Sequence, residues 1–167
     1  MGIMKNKSFT LVELIIVVTI LGIMAAIVIP TFQGNVATAK ESASKTNLMT
    51  IRTQIELYKL HHNGVPPGYV DGAVITIGML PIQLVGTTTV TGAVSPSTVP
   101  TDPYLYGPYL RKIPKNSFNN LSTIAYAADF SAEVDGISSG WLYIKETGEI
   151  AMNWTGTDTE GVNYYDY

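Results

Sequence analysis

Apolar and polar positions along the chain form three successive patterns, of which the first is an almost unbroken apolar run. Residues 9–29, FTLVELIIVVTILGIMAAIVI, contain Glu13 as their only charged residue. A helix of this length extends about 31 Å, which matches the hydrocarbon thickness of a bilayer. Lys5 and Lys7 precede the run, so the positive-inside rule predicts a cytoplasmic N-terminus and translocation of the rest of the chain.

Three interpretations of this run compete. A cleavable secretory signal has an apolar region of about 7–15 residues and a small-residue cleavage site. The observed run is longer, and no polar, loop-like start follows Ala25 and Ala26. A plain membrane anchor fits the length but leaves Glu13 unexplained, because a carboxylate is disfavoured inside a spanning helix. In the third interpretation Glu13 has a specific function and a partner group.

The second pattern is that of a one-sided helix. Residues 35–62 repeat apolar side chains at intervals of three and four, as in an amphipathic helix. Asn63 and Gly64 predict its end. Upstream, Pro30 predicts a kink or local unwinding, because proline removes a backbone donor. One long N-terminal helix is expected, apolar all round and then one-sided along a stripe: Leu48, Ile51, Ile55 and Tyr58.

The third pattern is short and strand-like. Residues 64–103 are rich in Gly, Pro, Thr and Ser and predict a variable loop region. Residues 123–130 and 140–154 predict strands, and the second stretch contains a hairpin turn at 146–149. The expected globular part is a three- or four-stranded antiparallel sheet packed on the amphipathic helix, so the fold class is α+β.

Composition restricts the function more than the fold. The chain has 167 residues, of which 46% are hydrophobic and 14% are charged. It has no cysteine, which excludes disulfide frameworks and thiolate metal sites. A net charge of −3 provides no basic surface field, so no nucleic-acid partner is expected.

The charge is unevenly distributed along the chain. Residues 40–115 contain seven Lys or Arg against four Asp or Glu, whereas residues 116–167 contain Lys145 alone against eight acidic residues. In one interpretation, a basic flank of one molecule meets an acidic flank of the next in an ordered assembly. In the other, the acidic surface is solvated and aids solubility.

No catalytic constellation is evident. The chain contains no G-x-S-x-G, P-loop or H-E-x-x-H motif, so it is not expected to be an enzyme. His61 and His62 are candidates for a metal or base site, but adjacent helical side chains point about 100° apart, and capping of the helix end explains them better. No cofactor or metal is expected, with calcium at three carboxylates as an open alternative. These are Asp129, Glu133 and Asp135.

Two segments resemble those of a known family. Residues 7–14, KSFTLVEL, with the aliphatic run behind them, resemble the prepilin signal of type IV pilins and type II secretion pseudopilins. Residues 107–120, GPYLRKIPKNSFNN, resemble the segment that leads into the sheet of the major, G-type pseudopilin. The resemblance implies that a prepilin peptidase cuts between Ser8 and Phe9 and that Phe9 becomes N-methylated. The family usually has glycine before the cut, where this chain has the small residue Ser8.

The resemblance also implies assembly roles for Glu13 and Pro30. Glu13 is expected to meet the Phe9 amine of a neighbouring subunit in the core of a helical filament, where the opposite charge offsets desolvation of the carboxylate. Local unwinding at Pro30 is expected on assembly. The alternative for Glu13 is a carboxylate that is favoured at a helix N-terminus by the helix dipole.

The expected function is that of a structural filament subunit, either a type II secretion pseudopilin or a type IV pilin. The expected location is the bacterial inner membrane, as a single-pass protein with a cytoplasmic N-terminus and a periplasmic or external globular part, before assembly into a pseudopilus or surface pilus. Expected partners are further copies of the chain, a prepilin peptidase and methyltransferase, and an inner-membrane assembly platform. The alternatives are a minor pilin that serves as an adhesion or substrate-binding module, and a membrane-anchored periplasmic protein of another function.

The expected organisation has three parts. Residues 1–8 form the leader peptide, residues 9–34 the transmembrane and filament-core helix, and residues 35–167 the pilin-like globular domain. Within this domain the amphipathic helix reaches about residue 62, followed by the variable loop at 64–103 and the sheet at 104–167.

Overall fold

A computed structural model describes residues 9–167 of the chain, apart from the side chains of residues 28–35. Ser8 and the rest of the expected leader lie outside the described residues. The chain divides into two compact units, Met1–Ala39 and Lys40–Tyr167.

Helix α1, Leu11–His61, begins in the first unit and contributes its last part to the second. Every described side chain from Phe9 to Ile27 is exposed. The helical backbone continues through Pro30, whose side chain lies outside the described residues, so unwinding there on assembly stays a prediction. Among the described residues, no helix combines the length and the apolar character needed to cross a membrane.

The second unit is built on the last part of α1. The helix ends where Asn63 and Gly64 adopt positive φ angles of 56° and 83°. The Gly64 N–H donates back to Lys59 O at 2.8 Å, which satisfies a carbonyl that the helix end would leave open. The predicted stripe is buried, with each side chain at most 1% exposed: Leu48, Ile51, Ile55 and Tyr58.

The region predicted as a loop contains two small ladders and a short helix. Strands β1, Tyr69–Val70, and β2, Ala73–Val74, form one antiparallel pair. A 3-10 turn leads into α2, Leu80–Val85. Strands β3, Thr87–Thr88, and β4, Val94–Ser95, form the second antiparallel pair.

A three-stranded sheet completes the second unit. It contains β5, Ile124–Tyr126, then β6, Trp141–Ile144, and β7, Glu149–Met152, with β6 in the centre. Strands β6 and β7 form the predicted antiparallel hairpin. Strand β5 runs parallel to β6, so the expectation of a wholly antiparallel sheet is wrong at this edge.

The parallel pair follows from the connection between β5 and β6. Residues 127–140 leave the end of β5, form the short helix α3, Phe130–Glu133, and return to the level where β5 began, since Ile124 lies opposite Trp141. Parallel strands need a crossover of about a dozen residues or more, which this segment supplies. Residue alternation within a strand carries no information about the direction of its neighbour, so the sequence pattern did not indicate this pairing.

One apolar core joins these elements. Leu80 and Leu84 of α2 belong to the same core as the α1 stripe. The sheet contributes Trp141, Tyr143, Ile150 and Met152. The predicted class, α+β with a long N-terminal helix and a small C-terminal sheet, is confirmed.

The buried hydroxyl of Thr87 leads to a stability prediction. Thr87 Oγ1 has no hydrogen-bond partner among the described residues, although the residue is fully buried. Valine has a similar shape, suits a strand, and removes the unpaired hydroxyl. We expect Thr87→Val to raise the free energy of unfolding by about 1 kcal/mol. Urea unfolding of the full chain in detergent, followed by tryptophan fluorescence, measures this change.

Thr88→Val is the matched control. Thr88 Oγ1 lies 3.0 Å from His62 Nε2, so valine there removes a partner from a buried ring. This control is expected to lower the free energy of unfolding by roughly 1–3 kcal/mol. An equal loss in Thr87→Val would contradict the assignment of an unpaired hydroxyl.

Candidate assembly site

The start of α1 forms a reciprocal cap between Thr10 and Glu13. The Glu13 N–H donates to Thr10 Oγ1 at 3.2 Å, and the Thr10 N–H donates to Glu13 Oε2 at 3.4 Å. Thr10 immediately precedes the helix and Glu13 is its third residue, which is the capping-box pattern. The sequence interpretation of Glu13 missed this box, although the T-x-x-E spacing signals it.

The box leaves the Glu13 carboxylate available for a second partner. The backbone and hydroxyl contacts from Thr10 both reach Oε2 at 3.4 Å, which is long for a hydrogen bond. No hydrogen bond from the described residues reaches Oε1. An exposed carboxylate with an open oxygen therefore lies at the positive end of the helix dipole.

The structure brings together two of the four residues predicted for processing and assembly. Phe9 directly precedes the box, and its side chain is 77% exposed. Glu13 follows about one helical turn later. Pro30 lies several turns further along α1 and does not belong to this site, and Ser8 lies outside the described residues.

The helix surface behind Glu13 is apolar on all sides. The large apolar side chains from Leu14 to Ile27 are each between 48% and 65% exposed. The polar exception, Thr19, satisfies its own hydroxyl by donating to Ile15 O at 2.7 Å. A soluble monomer rarely exposes a continuous apolar surface of this extent. A continuous apolar surface of this kind is typical of an interaction surface.

The two histidines at the end of α1 have separate partners. The buried His62 ring stacks on Tyr58 with 3.7 Å between ring centroids, and its nitrogens lie 2.7 Å from Tyr58 O and 3.0 Å from Thr88 Oγ1. Burial lowers the pKa of His62 below its ordinary value of 6.5. His61 Nδ1 lies 3.1 Å from the Tyr109 hydroxyl. The Tyr58 contact satisfies a carbonyl of the last helical turn, which is a capping role.

The three carboxylates considered for calcium accept hydrogen bonds from nearby backbone. Asp129 caps α3, and Glu133 accepts from the Ala128 N–H at 2.7 Å. Asp135 accepts from two loop N–H groups at 3.0 and 3.1 Å, and these bonds hold the pKa of Asp135 well below its usual range. Within residues 9–167 as described, no group of three His, Cys, Asp or Glu side chains is arranged to hold a metal ion. Calcium binding by these carboxylates stays a prediction.

A buried asparagine network fixes the approach to the sheet, and sequence reasoning missed it. Asn116 donates from Nδ2 to Gly140 O at 3.0 Å and accepts from the Phe118 N–H at 3.0 Å. Asn153 accepts from the N–H groups of residues 135 and 136, both at 2.9 Å. The available signal was the asparagine that ends the segment GPYLRKIPKN, at position 116.

The C-terminal tail packs on α1. The Tyr164 hydroxyl donates to Glu41 at 3.1 Å, and burial raises the pKa of Tyr164 to about 12. Lys45 pairs with Glu41 at 2.8 Å and with Asp158 at 3.6 Å, and its ammonium lies 3.8 Å from the centre of the Tyr167 ring. The tail is therefore an integral part of the folded second unit.

Comparisons with known proteins identify the same N-terminal motif. The family model described as the prokaryotic N-terminal methylation motif matches residues 3–29, which include the capping box. The chain is 28% identical over 160 residues to the type II secretion system core protein G of Vibrio cholerae serotype O1. This alignment covers 90% of the chain and 92% of that protein.

Two further relatives match over shorter stretches. The type IV major pilin protein PilA of Myxococcus xanthus is 53% identical over 49 residues, which are 29% of this chain and 22% of that protein. The fimbrial protein EcpB of Eikenella corrodens is 42% identical over 62 residues, which are 37% of this chain and 38% of that protein. These two alignments span less than half of either relative. No solved structure matches the chain significantly.

Burial of His62 predicts a pH dependence of stability. Because the folded pKa of His62 is depressed, the unfolded chain binds more protons as the pH falls through 6.5. The free energy of unfolding is therefore expected to fall between about pH 7 and 5, above the range where most carboxylates titrate. Urea unfolding at a series of pH values measures the slope.

His62→Gln is expected to flatten this slope, since glutamine does not titrate. His61→Gln, which changes the half-buried neighbour, serves as the control and is expected to retain it. A slope that persists unchanged in His62→Gln would show that another group is responsible.

Proposed function

We propose that this chain, which belongs to the family of type IV pilins and type II secretion pseudopilins, is a structural subunit of a type IV-like filament. Its membership follows from the N-terminal methylation motif and from the similar proteins named above. The observation that carries the function is the exposed apolar surface from Phe9 to Ile27, which starts at a capped carboxylate. Subunits that pack these helices together bury a surface that a single chain leaves open.

Processing creates the positive charge that Glu13 requires. Cleavage between Ser8 and Phe9 leaves an α-amino group on Phe9, which is protonated near neutral pH. Methylation of this amine keeps its charge. The same family motif covers both residues and Glu13, which supports a prepilin peptidase and methyltransferase as the processing partner.

The Phe9 amine of one subunit then pairs with Glu13 of a neighbour. The open Oε1 of Glu13 and the weak contacts to Oε2 permit the exchange of the Thr10 N–H for an ammonium group. In an apolar filament core the two charges compensate each other's desolvation, and an unpaired carboxylate there costs about 3–5 kcal/mol. The pair therefore sets the axial register of the helices as well as permitting burial.

The filament assembles from the bacterial inner membrane. Before assembly the subunit is a single-pass protein whose apolar helix lies in lipid, with the N-terminus cytoplasmic and the second unit periplasmic. The lysines before the helix support this orientation. Extraction into the filament requires an inner-membrane assembly platform and exchanges lipid contacts for contacts between helices, with local unwinding at Pro30.

The assembled form that we favour is the pseudopilus. The similarity that extends over 90% of the chain is to a protein named as a type II secretion component, whereas the pilin similarity covers 29% of it. Surface charges support ordered contacts between copies. Arg111, Lys112 and Lys115 form no ion pair among the described residues, so they are available for the acidic flank of a neighbour.

A pair of variants separates the charge of Glu13 from its capping role. Glu13→Gln retains a residue that can close the capping box but removes the charge. Thr10→Ala removes the cap but keeps the carboxylate. If the charge pair drives assembly, Glu13→Gln lowers filament yield by a factor of about ten or more, since removing one partner of a buried charge pair leaves the other uncompensated at a cost of about 3–5 kcal/mol. Thr10→Ala then retains most of the yield.

Filament yield is measured by shearing or cross-linking intact cells, and the membrane level of each variant is measured by immunoblot as the control for insertion. The mass of the membrane-bound form checks that both variants are processed. Full filament yield from Glu13→Gln, with normal processing, would contradict the role of the charge pair.

A further inference from the structure

The basic segment, residues 111–115, carries positive charge that is not neutralised within the described part of the chain. Its three cationic residues are exposed and form no ion pair with the described residues: Arg111, Lys112 and Lys115. The backbone of the segment is held to the fold, because the Trp141 Nε1–H donates to Pro114 O at 2.8 Å. Asn47 Nδ2 also donates to the carbonyl that follows, at 2.9 Å. Three unpaired cations therefore lie on a segment that the fold keeps in place.

A groove elsewhere on the second unit has the opposite charge. Its volume is about 750 Å³, and three exposed carboxylates line this acidic groove: Asp129, Glu149 and Asp166. None of the three forms an ion pair with the described residues. Arg52 is the one cationic residue in the described lining, so three carboxylates against one guanidinium give its side chains a net charge of −2.

Arg52 holds the acidic groove together and leaves its carboxylates unpaired. Its Nε and Nη2 donate to Ile150 O at 3.1 and 2.8 Å, and Nη2 also donates to Tyr167 O. Ile150 lies in β7 and Tyr167 in the C-terminal tail, so this one side chain links two of the elements that form the groove. The groove is therefore present in the single chain before any partner arrives.

The lining of the acidic groove suits long cationic side chains. The partly exposed rings of Phe130, Tyr165 and Tyr167 line it together with the carboxylates. Aromatic rings attract Lys and Arg cations, and the alkyl stems of these side chains pack on apolar surface. Among the described residues the carboxylates are not grouped so as to hold one metal ion, which favours separate cationic side chains as their partners.

The basic segment and the acidic groove lie at opposite ends of the three-stranded sheet. Trp141, which donates to the basic segment, begins β6, whereas Ile144, which lines the groove opposite Glu149, ends it. The same order holds along β5, since residues 122–123 beside the basic segment precede this strand and residues 128–129 in the groove follow it. The two surfaces are therefore free to meet in two different copies of the chain.

We propose that the acidic groove of one subunit binds the basic segment, residues 111–115, of the next subunit. This proposal rests on the proposed filament function and names the surfaces through which the second units meet. Because the two surfaces differ, the contact is head-to-tail, and repetition of such a contact generates an open helical assembly. The opposite charges also determine which end of one copy meets the next, and they penalise the reverse orientation.

Exchange of the charges tests this pairing. Arg111→Glu with Lys112→Glu reverses the basic segment, and Glu149→Lys with Asp166→Lys reverses the groove. Each reversed chain alone is expected to lower the yield of sheared filaments by a factor of about ten or more, because like charges then meet at every contact. A chain with all four substitutions again pairs opposite charges and is expected to recover about half of the wild-type yield or more.

Co-expression of the two reversed chains tests the head-to-tail arrangement. Each chain then supplies the surface that the other needs, so filaments that contain both chains are expected although neither chain forms filaments well alone. Glu160→Lys is the matched control, because it makes the same charge change at an exposed carboxylate outside the groove. This control is expected to retain the wild-type yield and to give no rescue when combined with the reversed basic segment.

A second measurement uses the wild-type filaments and needs no variant. A carbodiimide joins an ammonium group directly to a carboxylate that contacts it, and mass spectrometry of the digest identifies the linked peptides. Links from Lys112 or Lys115 to a carboxylate of the acidic groove are expected. Immunoblots of the membrane fraction and intact masses check that the variants in the charge exchange are inserted and processed like the wild type.

The outcomes separate this pairing from the filament function. Wild-type yield from both reversed chains, failure of the exchanged charges to restore it, or linked filaments without any of these pairs would overturn the pairing and leave the filament function intact. A processed wild-type chain that forms no filaments would overturn the filament function and the pairing together.

Discussion

The first part of α1 exposes an apolar surface that the single chain does not bury, and this constraint governs the molecule. Every described side chain from Phe9 to Ile27 is exposed, and one carboxylate interrupts the apolar character at the start. Burial of such a surface is the main favourable term in association, which supports the proposed packing of this helix among copies of itself. In the proposed filament core Glu13 needs a matching cation, because an apolar environment accepts a carboxylate only together with an opposite charge.

The same helix meets a different requirement in its last part. There the apolar stripe is narrow and is covered by α2 and the sheet. The C-terminal tail reinforces this unit through Lys45, which contacts Glu41, Asp158 and the Tyr167 ring. One helix thus combines an exposed apolar segment with a segment whose stripe is buried in the core of the second unit.

Sequence periodicity predicted the elements whose burial depends on local spacing. The stripe from Leu48 to Tyr58 follows directly from helical geometry, and the β6–β7 hairpin follows from alternation around a turn with Gly148. The predicted antiparallel direction of β5 was wrong. The path of residues 127–140 sets this direction, and no local sequence pattern records that path. The buried roles of Gln83 and Asn116 were missed because polar residues reveal their partners only when distant backbone groups come together. At the candidate site, the roles of Phe9 and Glu13 stay predictions, and the capping box between Thr10 and Glu13 was missed although its T-x-x-E spacing is present in the sequence.

The most direct test of a processed filament subunit is the intact mass of the protein, with N-terminal fragmentation, isolated from the membrane of its own host. A chain that starts at Phe9 with a methylated amine is expected, because the pairing with Glu13 requires a new amino group at that residue. A chain that retains Met1, or one that starts after Ala26, has no amine at Phe9 and would contradict assembly through this pair.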